Sequence, residues 1–243
     1  MKIFSILAAL LLMVAGMQTV KAQKIILHMS DNQKVEYDIS QLDSITFDEG
    51  VYLACPDDHH PHAINLGLPS GTKWCCCNVG ASTPEGYGGY YAWGETSEKS
   101  VYSWDTYAYA YCDNDNNYYW TNIGSDIAGS SYDAATVNMG APWRMPSTAQ
   151  LQELINNCSR QWTRQNGVNG ILVTGRNGGQ IFLPAAGGRW IDDPNSVGGG
   201  DYWSSSHFPS YGYDAYSLIF GSDTWGCYNS GRAMGQSVRA VRP

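Results

Sequence analysis

Imidazole, thiol and carboxylate side chains crowd into one short stretch, "CPDDHHPHA", residues 55–63. Cys55, Asp57, Asp58, His59, His60 and His62 are all metal-ligand types, and zinc is the ion that cysteine and histidine together favour. Pro56 and Pro61 break any regular spacing, and no second ligand pair follows at a zinc-like distance. A solvated linker is therefore expected there. A second candidate is "DNDNN". Asp113, Asp115 and Asn117 match the first three oxygen positions of a calcium loop. The sixth position is Tyr118 rather than Gly and the twelfth is Gly124 rather than Glu, so a polar turn is expected and calcium is the alternative. A third is His207 in "YWSSSHF", beside three serines. Neighbouring side chains on a strand diverge, so a serine–histidine pair is not expected. No nucleophile elbow, His-Glu-x-x-His or phosphate loop occurs. Nothing marks any cysteine as a low-pKa thiol. No catalytic residue and no cofactor are expected.

The remaining chemistry is aromatic. "SYGYDAYSLIFGSDTWGCYNS", residues 210–230, holds six aromatic rings and neither Lys nor Arg. Tyr and Trp offer large amphipathic contact area at low entropy cost, and Ser, Gly and Asn adapt around them. Leu218 and Phe220 alternate as inward anchors of a strand. Tyr211, Tyr213, Asp214, Trp225, Tyr228 and Asn229 are expected to be largely exposed and to contact a ligand, with the last three in a loop after the strand.

Composition narrows the classes. The chain has 243 residues, a net charge of −8, and only 15% charged residues. Without a basic footprint, nucleic acid is an unsuitable partner. Gly (27), Tyr (17) and Trp (9) are abundant, as in a loop-rich exported domain. Residues 1–22 read as a signal peptide: Lys2, an apolar run from Ile3 to Met17, and small residues near Ala22. That run is short for a bilayer span and no later run is longer, so no transmembrane segment is expected after signal removal. Export to the periplasm, cell surface or medium follows. Seven cysteines leave at least one unpaired within the chain. In a strand, Cys75 and Cys77 would face one way and Cys76 the other.

The elements that must position these groups are short. Ile25, Leu27 and Met29 alternate, Asp31-Asn32 turns, and Val35, Tyr37 and Ile39 alternate again. This predicts a hairpin within a unit at 23–50, followed by Leu42, Ile45 and Phe47 as apolar anchors. Residues 51–63 read as a linker and 64–243 as the main domain. Its clearest helix is "STAQLQELINNC": Ser147 and Gln150 form a capping box, and Leu151, Leu154, Ile155 and Cys158 share one face. A hairpin turns at Asn177-Gly178. The aromatic stretch 86–95 reads as strand and turns, and 97–133 as an extended surface loop. "WRMP" reads as structural, with Trp143 and Met145 under the helix cap and Arg144 and Arg239 tying loop carbonyls. One helix among many short strands predicts an α+β fold.

In order, "LGLPSGTKW", "CNVGAS", "YYAWGET", "WRMPS" and "YWSSS…SVRAVRP" resemble the Fibrobacter succinogenes major paralogous domain family, over about residues 64–243. The resemblance implies a C-type-lectin-like fold: one main helix, short antiparallel strands and long loops, here preceded by the small β-hairpin unit. It also implies kinship with formylglycine-generating enzymes and with the variable proteins of diversity-generating retroelements. The former use paired cysteines late in the chain, where this sequence has Cys227 alone. The latter vary just before a closing strand like "SVRAVRP". A Cys77–Cys158 disulfide is implied by the family pattern, with Cys55–Cys76 a weaker guess. The expected function is a secreted or surface-exposed, adhesin-like module that binds a protein or glycan through aromatic C-terminal loops. A formylglycine-generating-type enzyme and a structural subunit of a surface or fimbrial assembly are the alternatives.

Overall fold

A computed structural model describes residues 24–28, 34–38, 55, 57–191 and 198–243. The expected signal peptide at 1–22, the expected turn at Asp31-Asn32 and the expected anchors Leu42, Ile45 and Phe47 lie outside the described residues. Contacts divide the chain between residues 49 and 50 into two compact units. In the first, β1 (Lys24–His28) pairs antiparallel with β2 (Lys34–Asp38). Ile25 stands opposite Tyr37 and Leu27 opposite Val35, the register that the alternating pattern predicts.

The second unit is α+β, with antiparallel strands and two helices. Its first sheet joins its two ends: β3 (Ala63–Asn65) and β15 (Arg239–Arg242) flank β4 (Lys73–Asn78). Trp74, Cys75, Cys76 and Cys77 are all buried, so both faces of β4 are covered. A second sheet is the meander β7 (Ser159–Gln165), β8 (Val168–Thr174) and β9 (Gln180–Pro184). Its β8–β9 turn lies at Asn177-Gly178, with Gly178 at φ 86°, a conformation that glycine adopts without cost. A third sheet stacks β11 (Gly200–His207), β12 (Asp214–Phe220) and β13 (Trp225–Gly231) in that order. A two-residue pair, β10 (Gly188–Arg189) with β14 (Gly235–Gln236), completes the interior.

The predicted helix is α2 (Thr148–Asn157). Ser147 caps it, and the Gln150 side chain accepts from the Ser147 N–H at 3.0 Å. Leu151 and Leu154 are buried, while Ile155 and Cys158 pack partly against the core. The pattern did not reveal α1 (Ala134–Met139), which has only one and a half turns. Asp133 makes it possible. Its carboxylate is fully buried and accepts from the N–H groups of Ala135, Thr136, Gly129 and Met145. This fixes the start of α1 and the "WRMP" segment together, and Trp143 and Met145 are buried as expected.

The stretch at 97–133 is more built than a surface loop. It holds a 3-10 turn at Trp104–Thr106 and a hairpin of β5 (Ala110–Cys112) with β6 (Tyr118–Trp120), and it buries Tyr102, Tyr107 and Ile127. The stretch at 86–95 makes no named strand. Tyr91 forms a single bridge to Gln236. Among the described residues, no helix is long and apolar enough to cross a membrane.

Candidate functional site

Seven rings of the second unit that are not fully buried form one continuous ribbon. Tyr211 and Tyr213 stack, with centroids 5.3 Å apart and planes 15° apart. Tyr213 lies 5.1 Å from Trp120 and 6.4 Å from Trp104. Trp104 meets Trp120 at 5.9 Å and Trp190 at 6.2 Å, both edge-on. On the other side Tyr211 meets Phe208 at 5.8 Å, and Phe208 meets Tyr216 at 5.0 Å. Offset and edge-on contacts in this range are the favourable ones for aromatic pairs. Tyr211 is 50% exposed and the other six rings are partly exposed. Three segments far apart in sequence therefore supply one aromatic surface: the turn and hairpin at 104–120, Trp190, and the β11–β12 region at 208–216.

One buried cation holds these segments in place. Arg232 donates from Nη1 to the Gly212 carbonyl (2.9 Å), from Nη2 to the Thr121 carbonyl (3.1 Å) and from Nε to Tyr107 Oη (2.8 Å). Its guanidinium also lies 4.8 Å from the Trp93 ring centre, and its backbone N–H donates to the Tyr213 carbonyl. Gly212 sits between the two stacked tyrosines, and Thr121 follows Trp120. The planar fork thus ties both strips of the ribbon to a single point. Tyr118 Oη adds a bond to Asp105 at 2.5 Å, fastening the hairpin to the 3-10 turn.

The predicted contact residues do not all join this surface. Tyr211 and Tyr213 are its centre. Asp214 is only 6% exposed, against expectation, because it faces inward at the start of β12 and its carboxylate accepts from Asn229 Nδ2 at 2.6 Å. Asn229 is exposed yet spends its amide on that bond. Trp225, Tyr228 and Asn229 lie in β13 rather than in a loop. Trp225 is partly buried against Phe220, with Arg160 over its ring. Tyr228, 47% exposed, alternates to the opposite strand face from Trp225 and Asn229. Leu218 and Phe220 are buried as expected. Sequence reasoning missed Phe208, Tyr216 and Trp190, and also Trp104 and Trp120, for which a signal existed. The density of Tyr and Trp in "SWDTYAYAYCDNDNNYYW" was the available signal.

No family model, curated protein or solved structure matches this chain. Its site is therefore read from geometry alone.

The other chemical candidates resolve into specific partners. Asp113 Oδ1 accepts from the N–H groups of Asp115 and Asn117, closing the β5–β6 turn. His207 Nε2 lies 3.4 Å from the Gly212 carbonyl. Ser204 Oγ pairs with Thr148 Oγ1, and Ser206 Oγ accepts from the Thr148 N–H, so neither is directed at His207. All seven cysteines are unbridged, so neither Cys77–Cys158 nor Cys55–Cys76 forms a disulfide here. Cys77 Sγ lies instead 3.5 Å from Cys76 Sγ, and Cys158 caps the end of α2. Burial pushes the Cys158 and Cys227 thiols up to about 11. Hydrogen bonds from the Cys55, Cys75 and Cys77 thiols pull Cys76 well below the usual thiol range. The stretch expected to be a solvated linker is partly packed: Cys55, His60 and His62 gather around Cys76.

Proposed function

We propose that this protein is an exported ligand-binding module whose aromatic ribbon, from Tyr216 through Tyr211, Tyr213, Trp120 and Trp104 to Trp190, docks a partner. The observation that carries the reading is the continuity of seven partly exposed rings on a clamped scaffold. Rings held in place before contact lose little freedom on binding, and half-exposed Tyr and Trp are the residue types that dominate interface energetics. A protein ligand is favoured over a glycan. Sugar sites pair stacking rings with free carboxylates, and Asp214, the carboxylate nearest the tyrosine pair in sequence, is buried and bonded to Asn229.

The finer fold reading is a C-type-lectin-like domain of the major paralogous family. One main helix, short antiparallel strands, long connections and ends joined in one sheet support it. On this reading the chain is surface-facing and adhesin-like and catalyses nothing, and residues 202–243 are the region in which retroelement diversification would fall.

The test is a binding screen of the full chain against surface-protein and glycan panels. A protein hit should weaken by about 2–4 kcal/mol when Tyr211→Ala and Trp120→Ala are combined, as for central aromatic anchors. Tyr111→Ala, a ring 61% exposed that stacks only on Tyr119, should leave it unchanged. Equal binding by the Tyr211/Trp120 double variant and the parent would refute the assignment.

A further inference from the structure

Cys55, His60, His62 and Cys76 present one donor atom each, and all four donors lie within 4.8 Å of one another. Cys76 Sγ is 3.3 Å from His60 Nδ1 and 3.8 Å from His62 Nδ1. A tetrahedron with zinc–sulfur bonds near 2.3 Å and zinc–nitrogen bonds near 2.0–2.1 Å has edges of about 3.3–3.8 Å. The two measured distances already fall in that range, so a contraction of about 1 Å at the widest edge closes the shell.

Three features outside the donor set point the same way. His62 Nε2 lies 3.2 Å from Asp57 Oδ1. With its Nε2–H given to that carboxylate, the ring directs the Nδ1 lone pair toward Cys76, and carboxylate–histidine pairs of this kind orient metal ligands. The His62 backbone N–H donates to Cys76 Sγ at 3.0 Å, which suits a thiolate better than a thiol. Strand register supplies the placement. Ala63 stands opposite Cys75, and the Cys76 N–H donates to the His62 carbonyl at 3.0 Å, so His62 and Cys76 face each other by construction.

We propose that these four side chains bind one zinc ion in a closed tetrahedral site, which fastens residues 55–62, near the start of the second unit, to the middle strand of its first sheet. Four protein ligands leave no open position, so the ion is structural. Cys55 and Cys76 also line a pocket of about 220 Å3, with Pro84, Leu172, Ile181 and Phe182 and the polar Gln165 and Gln180. Asp57 is a positioning residue that acts through His62.

The full chain, purified under reducing conditions without chelator, should carry about one zinc by elemental mass spectrometry. Cobalt replacing the zinc should show thiolate-to-metal charge transfer and the intense visible bands of tetrahedral cobalt. Cys55→Ser and His60→Ala, both outside the strands, should abolish the cobalt spectrum while circular dichroism is kept. Asp57→Asn should weaken the metal about 10–100-fold, as outer partners do. If a variant fails to fold, alkylation of the parent decides: Cys55 and Cys76 should be protected with zinc and modified once a chelator removes it. A reduced parent that takes up neither zinc nor cobalt overturns the proposal. So does a Cys55–Cys76 disulfide found by peptide mapping of chain isolated from its native compartment.

Discussion

At the residue scale, Arg232 matters more than any ring it holds. It is buried and sits among oxygens and aromatic faces rather than beside a carboxylate. Its loss removes the buried bond to Tyr107 Oη, where a donor lost from the interior costs about 1–3 kcal/mol, and the two part-buried bonds to the Gly212 and Thr121 carbonyls. Arg232→Met is therefore expected to lower unfolding stability by about 3 kcal/mol, read as a fall in the urea midpoint at unchanged slope. Arg232→Lys should recover less than half of that, because an ammonium cannot donate along three fixed directions. If Arg232→Met also leaves ligand binding intact in the folded fraction, the clamp does not position the ribbon. Nothing around Arg232 in the sequence announces this role. Arg239 was expected to tie a loop carbonyl, and it donates instead to strand carbonyls, of Cys75 in β4 and Phe182 in β9, at 3.0 and 2.8 Å. Arg232's partners are 20, 111 and 125 positions away, beyond any local pattern.

At the scale of elements, legibility followed sequence separation. The capping box of α2, the β8–β9 turn and the N-terminal hairpin could all be read because their determinants lie within a few residues of one another. The aromatic ribbon and the cysteine–histidine set could not, because each is assembled by pairing distant strands. Cys76 is the clearest case: strand alternation predicts that it faces away from Cys77, yet the two sulfurs lie 3.5 Å apart, and only the β3–β4 register shows that Cys76 meets His62. The two helix caps differ in a way that sequence does not reveal. Ser147 supplies one partly buried cap bond to Gln150. Asp133 satisfies four buried or partly buried N–H groups and the Thr136 hydroxyl. Ser147→Ala is expected to cost about 1 kcal/mol, the ordinary value of a cap. Asp133→Ala is expected to cost about 3 kcal/mol, since it also strands the Gly129 and Met145 donors. Paired urea titrations check the order, and equal costs would mean that Asp133 acts only as a helix cap.

At the scale of the whole molecule, the tyrosines divide into two populations with different acid–base fates. Tyr90, Tyr91, Tyr102, Tyr107 and Tyr202 are buried, and desolvation raises every one of these phenols above its usual value, Tyr91 and Tyr202 to about 12. Four of them donate to backbone carbonyls, of Ala186, Tyr90, Trp93 and Pro184. Those bonds require the protonated form. The unfolded chain releases these protons near pH 10, while the folded chain holds them to higher pH, those of Tyr91 and Tyr202 until about 12. A folded pKa raised above the unfolded one gives stability that is complete below pH 10 and lost as pH climbs toward 12. Each phenol whose pKa is raised by about two units accounts for roughly 3 kcal/mol of that loss. Tyr91 and Tyr202 alone then remove about 6 kcal/mol, comparable with the whole stability of many domains. Alkaline titration should therefore leave circular dichroism unchanged near pH 10. The buried set should then ionise in one steep step that coincides with unfolding. Tyr202→Phe removes one such proton, so its stability should fall less steeply across this window, by about 1.4 kcal/mol per pH unit, although the lost bond to Pro184 lowers stability at neutral pH. Tyrosinate absorbance rising in a single broad wave near pH 10, with the fold intact throughout, would mean that these five rings are open to water and that the ordered interior behind the ribbon is absent.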